Sequence, residues 1–137
     1  MATAKRFEDL EIWQMSRKLV NQVYEITNKQ DFAKDYGLKD QIRRASVSVM
    51  NNISEGFESR TVKNFINYLG LSKASCGETR SVLYVALDCS YISREEFDEL
   101  YILTTKISAK IQNLIRYLEG YSSNNRIEEV MVEYVAK

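Results

Sequence analysis

The 137-residue sequence has no histidine and no proline, only five glycines and two cysteines, and a net charge of zero. Without proline, and with few glycines, long helices can run almost anywhere, because these residues cost about 3 and about 1 kcal/mol in a helix interior. The absence of histidine excludes Ser-His-Asp and Cys-His catalysis, H-E-x-x-H zinc sites and the Glu-x-x-His pairs of di-iron bundles. No G-x-x-x-x-G-K-[ST] phosphate loop occurs, and no G-x-G-x-x-G follows a strand. Lysine plus arginine number 19, as do aspartate plus glutamate, and the pI is about 6.4. Bulk charge therefore does not steer the chain to polyanions. No run approaches the ~18 apolar residues of a membrane span, and the start, MATAKRFEDL, lacks the apolar stretch of a secretion signal. A soluble, cytoplasmic protein with no membrane partner, no cofactor, no metal and no small-molecule substrate is expected.

What is present is helical periodicity. The length suits one domain, and 45% of residues are apolar. A first segment, about 8 to 28, places Ile12, Leu19, Val23 and Ile26 on one face. The stretch NKQDFAKDYG then reads as a loop over 29 to 37. A second segment, Leu38 to about Glu55, sets Leu38, Ile42, Ala45, Val49 and Ile53 in a core-facing stripe, with Gly56 as a C′ residue and Thr61 as the next N-cap. A third runs from about Val62 to Cys89, and a fourth opens on the capping box Ser93…Glu96 and stops at Gly120. The predicted architecture is an all-α, antiparallel up-down-up-down four-helix bundle over residues 1–121. Residues 122–137 form a tail in which Ile127, Val130, Met131, Tyr134 and Val135 fit a short amphipathic helix. Such a helix frays in isolation and needs a bundle or a neighbouring subunit to dock on.

Three features go beyond a generic core. Gln41, Arg44, Ser48, Asn52 and Glu55 fall within an arc of about 80° beside the apolar stripe of the second segment. Short hydroxyl and amide groups suit a packed, hydrogen-bonded interface, although a solvated face is the plainer alternative. Arg44 would lie opposite roughly residue 73, in reach of Glu78. The third segment carries a small-residue stripe, Gly70, Ala74, Gly77 and Ser81, that suits close backbone approach. Cys76 and Cys89, 13 residues apart on one helix, would be about 20 Å apart, so both are expected as buried, reduced thiols. Nine tyrosines suit oligomer contacts, with ordinary bundle edges as the alternative. Residues 38 to 90 hold seven basic groups against five acidic ones, a thin surplus for one subunit. A symmetric oligomer would gather Arg43, Arg60 or Lys63 into a ring, and these are the candidate nucleic-acid contacts.

The stretches FEDLEIWQMSRKL, QIRRASVSVMNNISEGFESRT and NFINYLGLSKASCGETRSVLY carry a resemblance. Over about residues 7 to 120 the chain resembles the bacterial four-helix-bundle proteins first noticed as products of intervening sequences in 23S ribosomal RNA genes, once catalogued as a ribosomal protein. The series Gln41, Arg43, Arg44, Ala45, Ser48, Asn52, Glu55, Gly56, with Ser75 and Glu78, is its most specific part. The resemblance implies a homopentamer without established enzymatic activity, in which Gln41, Arg44, Ser48, Asn52, Glu55 and Glu78 serve helix packing or subunit contact. Related accessory proteins of diversity-generating retroelements bind nucleic acid; they are strongly basic, whereas this chain is neutral. Two readings follow. A non-enzymatic oligomer associated with RNA or DNA ranks first; a protein-interaction scaffold with no nucleic-acid role, the tail helix being one candidate contact, is the alternative.

Overall fold

The computed structural model describes residues 4–134 and is helical throughout. A 3-10 turn, Phe7–Asp9, leads into α1 (Glu11–Thr27); then come α2 (Gln30–Lys34), α3 (Tyr36–Phe57), α4 (Val62–Asp88), α5 (Arg94–Glu119), α6 (Ile127–Val130) and a closing 3-10 turn, Met131–Glu133. Local chemistry sets the starts of the long helices. Asp35 accepts from the Leu38 amide at 3.1 Å and Thr61 from the Asn64 amide at 3.3 Å. Ser93 and Glu96 close a reciprocal capping box, with amide-to-side-chain distances of 3.1 and 2.8 Å. Each such cap is worth about 1 kcal/mol.

Each of the four long helices packs on two others: α3 on α1 and α4, and α5 on α4 and α1. Their inward faces supply the core, including Leu19, Val23, Ile42, Val49, Ile53, Phe65, Leu69, Leu83, Ile107, Ile111, Leu114 and Leu118, all closed to water. Each contributes about 1.5–3 kcal/mol on burial. The α3–α4 contact is the most extensive. Gly56 faces Phe65 and Tyr68, Val49 faces Ser72, and Ser48 faces Ser75. Among the described residues no helix is long and apolar enough to cross a membrane.

The structure departs from the expectations at three places. The predicted loop 29 to 37 contains α2, because Phe32 is fully buried and stacks on Tyr91 at 5.2 Å, and α3 already starts at Tyr36. Gly37 is tolerated there because the first helical turn is not yet locked by internal bonds. Gly56 does not end α3; it lies buried within the last turn, and the left-handed conformation expected of a C′ glycine falls to Arg60, with φ 81°. A Cβ at Gly56 would lie 2.7 Å from Tyr68 Cβ and 2.9 Å from a Phe65 ring carbon, so this glycine serves helix approach. Lastly, only Ile127–Val130 of the tail is α-helical, with Val135 outside the described residues.

The tail docks. Ile127, Val130 and Met131 are buried, and the Tyr117 hydroxyl donates to the Val130 carbonyl at 2.6 Å. Val62 and Lys63, the first two residues of α4, donate their amides to the carbonyls of Asn125 and Ser123 at 3.0 and 3.2 Å. The tail thus satisfies amides that a helix start leaves without intrahelical partners.

Alanine scanning of glycines should separate the two kinds of site. Gly56→Ala is expected to destabilise by about 1–3 kcal/mol through overpacking. Gly37→Ala, where an added Cβ meets nothing within 4 Å, should be neutral or stabilising by up to about 0.5 kcal/mol. Urea unfolding of both variants measures the contrast.

Candidate functional site

The polar face of α3 divides into an inner and an outer part. Ser48 and Asn52 are half-buried, whereas Gln41, Arg44 and Glu55 are exposed. Ser48 and Ser75 hydroxyls meet at 2.9 Å, and the Asn52 amide nitrogen donates to the Ser48 carbonyl and hydroxyl at 2.8 and 3.0 Å. Deeper in the same seam Ser72 donates to the Val49 carbonyl at 2.7 Å, and Thr79 to the Ser75 carbonyl at 2.8 Å. Hydroxyls bonded this way let two helices approach without leaving buried polar atoms unpaired.

The expected Arg44–Glu78 pair does not form. Arg44 reaches back one turn to Asp40 at 3.0 Å with 81% of its side chain exposed. Glu78 is exposed and has no partner among the described residues. The small-residue stripe also behaves differently from its expectation within the chain. Gly70, Ala74 and Ser81 are exposed, and a Cβ built at Gly70 meets nothing within 4 Å. The stripe lies on the outer side of α4, away from the other helices.

The three candidate nucleic-acid contacts are not brought together. Arg43 is engaged inside the chain: its Nε donates to Thr27 Oγ1 at 2.8 Å, its Nη2 to Asn28 Oδ1 at 2.9 Å, and its guanidinium lies 4.2 Å from the Tyr24 ring centroid. It ties α3 to the end of α1, about 20 Å along α3 from the turn that carries Arg60. Arg60 lies in that turn and Lys63 in the first turn of α4, and both are exposed. The adjoining cleft, about 410 Å³, mixes Lys5, Arg60 and Arg126 with Glu58 and Glu128. Its field is therefore not of one sign.

Cys76 is buried as expected, and burial pushes its thiol up to about 12, with Arg80 pulling the other way. Cys89 is exposed, because α4 ends at Asp88 and releases it into the turn. No group of three His, Cys, Asp or Glu residues among those described could share a metal ion.

One set of basic residues escaped the sequence reading. Lys73 and Arg80 on α4, with Arg116 on α5, line a single groove. The i, i+7 spacing of Lys73 and Arg80 was the available signal, and it becomes meaningful only once α5 places Arg116 beside them.

The sequence model of a family described as "23S rRNA-intervening sequence protein" matches residues 8–113. The chain belongs to that family. No curated protein matches it. A crystal structure from Bacteroides thetaiotaomicron, described as a protein with unknown function from the S23 ribosomal protein family, is similar in fold. Its TM-score is 0.71 at 22% identity, over 77% of this chain and 98% of that one. The family match covers α1 to α4 entire and most of α5, but not the tail that follows α5.

The two adjacent arginines of this family member should differ in cost. Arg43→Ala is expected to lose about 2 kcal/mol, as two charge-assisted hydrogen bonds and a ring contact go. Arg44→Ala should stay within about 0.5 kcal/mol in the isolated chain. Chemical denaturation of the two variants checks this, and equal losses would contradict the placement.

Proposed function

We propose that this protein acts without catalysis of its own, as an up-down-up-down antiparallel four-helix bundle that assembles into a homopentamer and takes RNA as its partner. The outer side of α4 carries the self-association part of the reading. Gly70, Leu71, Ala74, Ser81, Tyr84 and Val85 all lie there exposed, Leu71 at 56% and Val85 at 45%. From Asn67 to Val85 the one charged residue on this exposed side is Glu78. A contiguous exposed apolar helix face is normally covered by a partner, and a chain of zero net charge meets no repulsion in stacking copies of itself.

The Ser48–Ser75 contact sets the exposed rim of α3 beside this surface, so Gln41, Arg44, Glu55 and Glu78 would frame the subunit contact. Ile127, Val130 and Met131 of the tail pack on the chain's own helices, which favours a contact through α4 over a scaffold contact through these three residues.

Light scattering should give a mass near five times the 15.9 kDa of the chain. Ala74→Glu, a change at an exposed position, should reduce it to the monomer with helical circular dichroism retained. A wild-type mass of 15.9 kDa would contradict self-association.

A further inference from the structure

The groove between α4 and α5 is lined by Lys73, Arg80 and Arg116 and by the uncharged Tyr101, Thr105, Gln112 and Asn113, with no carboxylate among its lining; its volume is about 480 Å³. This is unusual in a chain with equal numbers of acidic and basic residues. The acids one turn beyond either end of the groove on α5 are Asp98, held by Arg94 at 3.2 Å, and Glu119.

The groove is built rather than a loose collection of surface lysines. Lys73 Nζ donates to Gln112 Oε1 at 2.8 Å, which fixes both side chains across the two helices and turns the amide nitrogen of Gln112 away as a free donor. Arg80 is half-buried; its guanidinium carbon lies 5.9 Å from the Tyr101 ring centroid, and its Nη1 is enclosed with no acceptor. A buried guanidinium nitrogen without an acceptor is uncommon, and an anion met by a small shift of the Arg80 side chain would supply one. The small Ser108 and Ala109 side chains line the α5 side of the groove between these cations. Lys73 and Arg80 are seven residues apart on one helix, so the cations extend about 10 Å along the groove, more than one phosphate spans. They also lie some 60–80° round α4 from Gly70, beside rather than on the proposed subunit contact.

We infer that this α4–α5 groove is a site for phosphate groups arranged in a row, whether in a single-stranded RNA backbone or in a small polyphosphate. The RNA source rests on the functional reading above; the phosphate chemistry does not. An open groove with cations on its sides and amide donors between them follows an extended backbone and reads no sequence.

The test titrates full-length protein with a fluorescently labelled oligouridylate and, separately, with inorganic tripolyphosphate, across a salt series. Lys73→Gln, Arg80→Gln and Arg116→Gln are compared with Lys34→Gln, an equal charge change at an exposed residue of α2 outside the groove and the subunit contact, and with Arg80→Lys in case Arg80→Gln melts early. Each groove neutralisation is expected to weaken RNA binding roughly tenfold and to reduce the slope of log K against log salt by about 0.7, while Lys34→Gln stays within about twofold of wild type. RNA binding that the groove variants leave unchanged would overturn the site and spare the RNA reading. Groove-dependent tripolyphosphate binding without RNA binding would support the phosphate site and overturn RNA as its source. Failure of both probes to bind even at low salt would overturn the inference itself.

Discussion

The Ser72 hydroxyl can reach the carbonyl of Val49 only because α3 and α4 lie almost in contact. That approach is the constraint on which the rest of the molecule depends. A large side chain at Gly56, Ser48, Ser72 or Ser75 would hold the two helices apart, and hydroxyls that failed to find acceptors would each cost about 1–3 kcal/mol. The seam meets both demands with short groups, each bonded to the facing helix or to its own preceding turn. With α3 and α4 locked, Arg43 on the far side of α3 can tie the end of α1, and the start of α4 is presented where the tail carbonyls of Ser123 and Asn125 meet it.

The helix α4 consequently has three different sides. One faces α3 through the hydroxyl seam. A second faces outward with glycine, alanine, leucine and valine where a surface helix normally carries charge. The third borders α5 and concentrates Lys73 and Arg80 with Arg116 in a chain that is neutral as a whole. Zero net charge thus coexists with a locally one-signed groove, because balance over 137 residues says nothing about the few that share one surface.

Much of the fold was legible in the residues themselves. The apolar periodicities of the long helices, Thr61 as an N-cap and the Ser93–Glu96 capping box all follow local rules and appear as read. The errors came where tertiary packing overrides local preference. NKQDFAKDYG reads as a loop until Phe32 finds its pocket against Tyr91, and Gly56 reads as a helix stop until Phe65 and Tyr68 require its missing side chain. Arg44 and Arg43 are neighbours in sequence, yet a 100° turn gives one to solvent and the other to Tyr24, Thr27 and Asn28. The basic groove was illegible for a related reason: its cations come from two helices whose register no single stretch of sequence specifies.

The account stands most directly on the α3–α4 seam, and a double-mutant cycle on Ser48 and Ser75 measures it. Unfolding free energies of Ser48→Ala, Ser75→Ala and the double variant should yield a coupling of about 0.5–1 kcal/mol, as two hydroxyls bonded across the helices require. A coupling indistinguishable from zero, with both single variants as stable as wild type, would show that the hydroxyls do not hold these helices together.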